Sequence, residues 1–557
     1  MRVQLLPIAV LLAAAPLAAQ TAQHKHYEKD PATERPAPTG ELAPRLQNLG
    51  SHAFPVSTRK PRAQQFVNQG LRLSYGFNHA EAARAFREAQ RLDPGLAMAH
   101  WGEALVLGPN INVPMAPEDE PKALAAIQKA VALKARATPR ERAYIDALSQ
   151  RYSGKAEDRA ARDRAYADAM RSVSKRYPAD LDAATLFAEA LMDLRPWGYW
   201  MRDGAPYAET PEAVAAIESV LKRNPNHPGA NHLYVHLLEP TADAAKAEAA
   251  ADRLRTLMPG AGHMVHMPSH IYMRVGRYAD ASASNEQAVA ADEDYIAQCR
   301  AQGIYPMGYY PHNIHFLWSA SAMEGRSAAA VGAARKVATK VTAEMMDGLP
   351  FLQAFAVVPY YALTRFGRWD EMLAEPAPAD RFLYLKGTWH YARGLAFAGK
   401  DDLAGAEREL AALRTIAADP SLSFTLFSPN TAAAVLAIGP EALAGEVAAR
   451  KQDWPAAIAH LERAVRLEDG LVYTEPAEWH YPPRQALAAV LLQAGRAGEA
   501  ETVYWEDLRR NPENGWSLFG LKQALEAQKK EADAALVEAR RARAWARADV
   551  PLKASRF

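Results

Sequence analysis

A single cysteine, Cys299, in 557 residues rules out an internal disulfide, so the fold must be held by packing even in an oxidising compartment. Neither sign of charge dominates. The chain has 65 Lys and Arg against 64 Asp and Glu, with no long single-sign run. That balance argues against nucleic-acid or anionic-membrane binding driven by charge. After the N-terminus no uninterrupted apolar run approaches about 18 residues, so no further membrane span is expected. Strand-like alternation is almost missing. No P-loop, dinucleotide fingerprint, G-x-S-x-G elbow, CxxC or HExxH occurs, which leaves serine acyl transfer, redox-thiol chemistry and the zinc-protease arrangement without support.

What is present begins with an export signal. Met1-Arg2 gives a short positive region, Leu5 to Ala15 an apolar run, and Leu17-Ala18-Ala19 small residues suited to cleavage. Residues 1–19 are therefore read as a signal peptide of bacterial type, and the protein as exported, periplasmic or extracellular. Residues 20–62 are rich in Pro and polar groups and read as an extended leader draped over the first folded unit. A His24-Lys25-His26 stretch lies within it and reads as tail.

From residue 63 the pattern is helical and repetitive. Phe77-Asn78-His79 with Ala82, Phe86, Ala89 and Pro94 marks a helix–turn–helix ending in a proline stop. Gly276-Arg277-Tyr278 with Ala281 and Ala288, Gly325-Arg326-Ser327 with Ala330, Gly367-Arg368-Trp369, and Gly495-Arg496 with Ala500, Tyr504 and Pro512 repeat the theme. Hydrophobic content of 49% with 23% charge suits such a folded array. His232 and His236 recur 34 residues later as His266 and His270.

That period and these small-residue positions resemble the tetratricopeptide repeat (TPR). The resemblance covers about residues 63–548, and "HMPSHIYMRVGRY", "YYPHNIHFLWSA" and "NPENGWSLFGL" are similar to segments of a recurrent bacterial TPR group without an established activity. It implies an all-α, right-handed superhelical solenoid of about 10–12 helix pairs, with the central His-rich repeats at 226–340 and a tail at 549–557. It also implies binding of a peptide, protein or small ligand in the concave groove lined by the first helix (A) of each pair. Peptide-clamping TPRs place Lys, Arg and Asn at positions 2, 5 and 9 of helix A. Here those positions hold histidine.

Counting back from Gly276 at position 15 puts His263, His266 and His270 at positions 2, 5 and 9. Counting forward from Pro225 puts His232 and His236 at 5 and 9 of the preceding repeat. His312 and His315 fall at 2 and 5 of the repeat after. Seven of the 16 histidines thus lie within residues 232–315, on one expected face. Residues three or four apart on a helix share a face, and His-rich sets suit transition metals such as Zn, Cu or Fe. His232, His236, His266 and His270 are the expected metal ligands. His263, Arg274, Tyr309, Tyr310, His312 and His315 are expected to line a ligand pocket, and Glu239, His263 and Arg274 are candidates for catalysis.

Three readings stay open: an exported binding scaffold with a histidine-lined pocket, a metal-dependent enzyme, and a structural scaffold without use for the cluster. Three insertions break the period: residues 108–114, 195–211 and 304–311. Their Trp and Tyr content points to lids over the groove. Pro268 and Pro359 fall at position 7, inside predicted A helices, where each removes a backbone hydrogen bond. Cys299 reads as a buried small apolar residue.

Overall fold

The computed structural model describes residues 40–299, 305–427 and 429–557. The signal peptide, the leader up to residue 39 with its His24-Lys25-His26 stretch, and Ile304 of the third insertion lie outside them. Among the described residues the chain is α-helical with no strands. Three isolated bridges (Asn110–Val113, Trp200–Pro206 and Thr425–Thr431) pin loop corners. The helices alternate as twelve antiparallel pairs, each packed on the next, which is a TPR-like α-solenoid.

Local chemistry sets the helix ends. Thr138 and Glu141 form a reciprocal capping box, and Asp180, Asp402, Asp453 and Asn514 each accept a backbone N–H at a helix start. Gly276 and Gly325 close their A helices in the left-handed region, with φ of 80° and 77°. The elements that build the centre of the molecule are α1 (Pro61–Tyr75), α2 (His79–Leu92), α3 (Pro228–Leu238), α4 (Gly262–His266), α5 (Pro268–Val275), α6 (Tyr278–Cys299) and α7 (Tyr310–Glu324).

Pro268 divides what would be one A helix into α4 and α5, although Met267 between them keeps helical angles (φ −52°, ψ −34°). The His270 N–H turns to Met267 O at 3.2 Å, and Ser269 Oγ takes the freed His266 carbonyl at 2.6 Å. Pro359 lies in the same way just after the break between Gln353–Ala356 and Val358–Arg365.

Residues 40–60 run extended over the first helices. Phe54 is fully buried against Trp101 and Tyr144, at 5.8 and 5.6 Å between rings. The Leu42, Leu46, Phe54 and Val56 backbone amides donate to the side chains of Glu88, Gln69, Asn68 and Gln64. The far end of the solenoid returns to the centre. Trp516 Nε1 donates to Ala322 O at 3.0 Å, and Asp549 accepts from the Ser327 and Ala328 amides at the start of the helix after α7. The segment after Gly470 also reaches the centre, where Tyr473 Oη donates to Glu239 Oε2 at 3.3 Å.

One stretch, Ala432–Arg450, is long and apolar enough to cross a membrane, and 72% of it is buried in the fold.

Candidate metal centre

The central histidines form two groups of three: His232, His236 and His263, and His266, His270 and His312. Within each, the ligand nitrogens lie within 4.8 Å of one another. The four expected ligands do not meet at one point; they divide by repeat. Each group takes positions 5 and 9 from one A helix and position 2 from the next. The physical reason is the offset between packed helices: position 2 of a following helix leans back over the 5/9 pair. His263 and His312, expected as pocket residues, complete the triads.

Both groups are buried. His232, His236, His263, His266 and His270 are between 0 and 3% exposed, with His312 slightly more open.

The ring tautomers follow from the outer nitrogens. His232 Nδ1 lies 2.6 Å from Tyr75 O, a carbonyl that can only accept. His236 Nδ1 and His270 Nδ1 lie 2.9 and 2.5 Å from the two carboxylate oxygens of Glu239. His266 Nδ1 lies 2.7 Å from Asn285 Oδ1, whose amide is oriented by Asn285 Nδ2 donating to Ala281 O. With Glu239 as a carboxylate, each of these four rings donates from Nδ1, so each neutral ring carries a lone pair on Nε2. Yet His236 Nε2 lies 3.0 Å from His232 Nε2, and His266 Nε2 lies 2.9 Å from His270 Nε2. His263 Nε2 is 3.1 Å from His232 Nε2, and its Nδ1 is buried without a partner.

Burial also keeps the rings neutral: it pushes His232, His270 and His312 down to about 3 and His236 to about 4, and holds His263 and His266 well below the usual imidazole range.

Two residues without side chains allow this approach. A Cβ on Gly229 would stand 2.5 Å from the Tyr75 ring, so only glycine lets α1 bring Tyr75 O to His232. A Cβ on Gly262 would stand 1.9 Å from Asp292 Oδ1. Asp292 accepts from Tyr305 Oη at 2.7 Å and Asn313 Nδ2 at 2.6 Å, and Tyr305 Oη accepts the His263 N–H. Asp292 on α6 thereby braces the backbones that carry His263 and His312.

Glu239 is the shared acid of the site. Burial raises it, while His236, Tyr473 and Arg274 push it back. Tyr473 Oη donates to Glu239 Oε2 at 3.3 Å, and Arg274 lies over the Tyr473 ring at 5.4 Å while donating to Thr241 O. Glu475 approaches the Glu239–His270 pair, and burial followed by repulsion from Glu239 raises it strongly. Arg274 thus acts on the acidic side of the site and does not touch the triads.

The aromatic frame is matched. Phe77 packs on His232, His236 and His263 at 4.6, 6.0 and 5.6 Å, and Phe316 on His266, His270 and His312 at 4.7, 4.5 and 5.3 Å. The three insertions meet over the first triad. Trp197 sets its edge on His236 at 5.2 Å and donates to Asn112 Oδ1, while Tyr309 lies 4.8 Å from His263.

Two expected pocket residues lie elsewhere. His315 stacks on Trp318 at 5.4 Å and 4° and packs on Phe355, one turn too far along α7 to face either triad. Tyr310 donates to Glu293 at 2.7 Å and lies under Lys340, on the α6 side of α7. Cys299 is buried, as expected, and burial raises its thiol.

Sequence reasoning missed Tyr473, Glu475 and Phe77. Phe77 had a signal. It occupies the A–B turn in the left-handed region (φ 58°), where other turns carry Gly276, Gly325 or Asp401. A third group, His52, Asp182 and His227, also went unnoticed. There every contact is an ordinary hydrogen bond: His52 and His227 Nε2 and Tyr75 Oη converge on Asp182 Oδ1 at 2.9, 3.2 and 2.6 Å, and His227 Nδ1 caps Ala230 N.

These features define a TPR-like solenoid with paired buried imidazole triads. No family model matches the chain, and no curated protein matches it. Among solved structures it is similar to the APC/C hetero-tetramer Cut9-Hcn1, at 14% identity over 83% of this chain and 76% of that one, with a TM-score of 0.30. It is also similar to the human IFIT1 dimer with m7Gppp-AAAA, at 12% identity over 80% and 90%, TM-score 0.30, and to yeast Tom70, at 11% over 85% and 90%, TM-score 0.25. The repeat architecture is read from the helix pairs of this chain itself.

Proposed function

We propose that this protein holds two transition-metal ions, one on the Nε2 atoms of His232, His236 and His263 and the other on those of His266, His270 and His312. The observation that carries this reading is the facing of lone pairs. In both HxxxH pairs the Nδ1 partner takes the ring proton, so two Nε2 acceptors point at each other at 2.9–3.0 Å with no hydrogen between them. Such an arrangement is repulsive for neutral rings alone and becomes favourable around a cation bound at about 2 Å. The third group supplies the contrast, since its histidines have their hydrogen-bond acceptors and need no ion.

Carbonyl, carboxylate and amide oxygens on the outer nitrogens are the supports that fix ligating imidazoles. Three protein ligands leave an open position on each ion, as in catalytic sites. Export through residues 1–19 belongs to the same reading and is checked by cell fractionation.

The test is elemental analysis of the purified full chain after exposure to Zn, Cu and Fe. Two ions per chain are expected, one in His263→Ala and one in His312→Ala. A wild-type chain that retains and rebinds none overturns the proposal.

A further inference from the structure

We infer that the paired triads form a copper site, loaded as two Cu(I), whose small-molecule co-substrate is dioxygen. This rests on the two-ion reading above and goes further by fixing the metal and its partner.

Charge selects the metal. The six ligands are neutral imidazoles, and no carboxylate stands among the apical nitrogens. Glu239 meets ring Nδ1 atoms and not the Nε2 apices. Two divalent ions would bring four positive charges into a buried volume served by one directly bonded carboxylate, with Glu475 beside it and Arg274 opposing both. Uncompensated buried charge stays costly even after relaxation. Monovalent ions halve that load. Among the metals that imidazole suits, copper is the one with an accessible monovalent state, and it also stands at the head of the divalent affinity order. Paired iron in helical proteins is held by a carboxylate-rich set that is missing here.

The walls select the partner. Phe77 and Phe316 cover one triad each, and Trp197 and Tyr309 close over the first. A site of buried rings behind aromatic side chains admits a small neutral molecule far more readily than an ion. Dioxygen also solves the charge problem of oxidation. With copper held by both triads, each Cu(I) would give one electron and become Cu(II), and the O2 that received both would remain as a doubly negative ligand. The total charge of the pocket is unchanged, no proton is needed, and the O–O bond is retained. Removal of the same two electrons by an external acceptor would leave two further positive charges buried.

The experiment is an anaerobic titration of the full chain with Cu(I) against a chromophoric Cu(I) chelator, with Zn(II) titrated in parallel, followed by admission of oxygen under an oxygen electrode and absorption spectrometer. Two Cu(I) held per chain, one O2 consumed per two copper ions, and a new charge-transfer band are expected. His312→Ala, shown folded by circular dichroism, should hold one Cu(I) and lose the one-to-two uptake. Two Zn(II) bound while the chelator strips Cu(I), or Cu(I) held with no oxygen uptake, overturns the copper–dioxygen inference and leaves the two-ion site standing. Absence of every metal removes both.

Discussion

Replacing Glu239 with Gln tests the coupling of the two triads through a single side chain. The carboxylate offers one oxygen to each repeat: Oε1 to His236 Nδ1 at 2.9 Å and Oε2 to His270 Nδ1 at 2.5 Å. Glutamine keeps one acceptor and turns the other into an N–H2 donor. Tyr473 Oη also donates to Oε2, so the remaining oxygen belongs on that side and the amide nitrogen faces His236. His236 must then present a lone pair from Nδ1 and carry its proton on Nε2, where it can no longer bind an ion. Forcing it back sets two buried donors against each other, at about 1–3 kcal/mol. Loss of an outer partner typically weakens metal affinity 10–100-fold, which is roughly 1.4–2.7 kcal/mol.

The first site should therefore weaken by about that factor while the second keeps its affinity. Glu239→Ala should weaken both. Competition titration against a chelator of known affinity resolves the two constants. Equal weakening of both sites in the Gln variant, or no change in either, refutes the tautomer reasoning.

The metal-free protein should lose stability on acidification. Rings whose folded values lie near 3–4 bind protons in the unfolded chain first, as pH falls below about 6.5. Stability contributed by their neutral form is thus lost from there downward, at roughly 1.4 kcal/mol per pH unit for each independent ring. Chemical denaturation at pH 7.5 and 5.5 measures it, and bound metal should reduce the loss. His315→Ala should leave the metal stoichiometry at its wild-type value while lowering the melting temperature, since it removes a stacked ring and no ligand. Gly262→Ala should destabilise the fold by more than about 2 kcal/mol, because its methyl meets a buried carboxylate that cannot give way, and denaturant titration will show it.

Much of this was legible from spacing. The repeat period placed the helix pairs, and the registers anchored on Gly276 and Pro225 brought His232, His236, His266 and His270 to one side of the solenoid. Glu239, at position 12, emerged from the same register. The division into two triads did not, because it depends on which neighbour a position-2 histidine leans towards, and that is set by the offset of packed helices. Tyr473 and Glu475 reach the site across more than 200 residues of chain, through a return of the array that no local pattern encodes. His315, at position 5 of its repeat, belongs to the next junction, where it stacks on Trp318 and packs on Phe355, and Tyr310, just before position 1, turns to Glu293 on α6.

On the proposed ligand set, positions 5 and 9 with position 2 of the next repeat, the number of sites is a property of repeat junctions and not of a unique pocket. Such a ladder can be lengthened one rung at a time. It stops after α7 only because Ser319 stands at position 9 and Ala354 at the following position 2. A one-dimensional array of this kind offers a way to set ions in a row at the pitch of a helical repeat, with each rung inheriting its geometry from the scaffold beneath it.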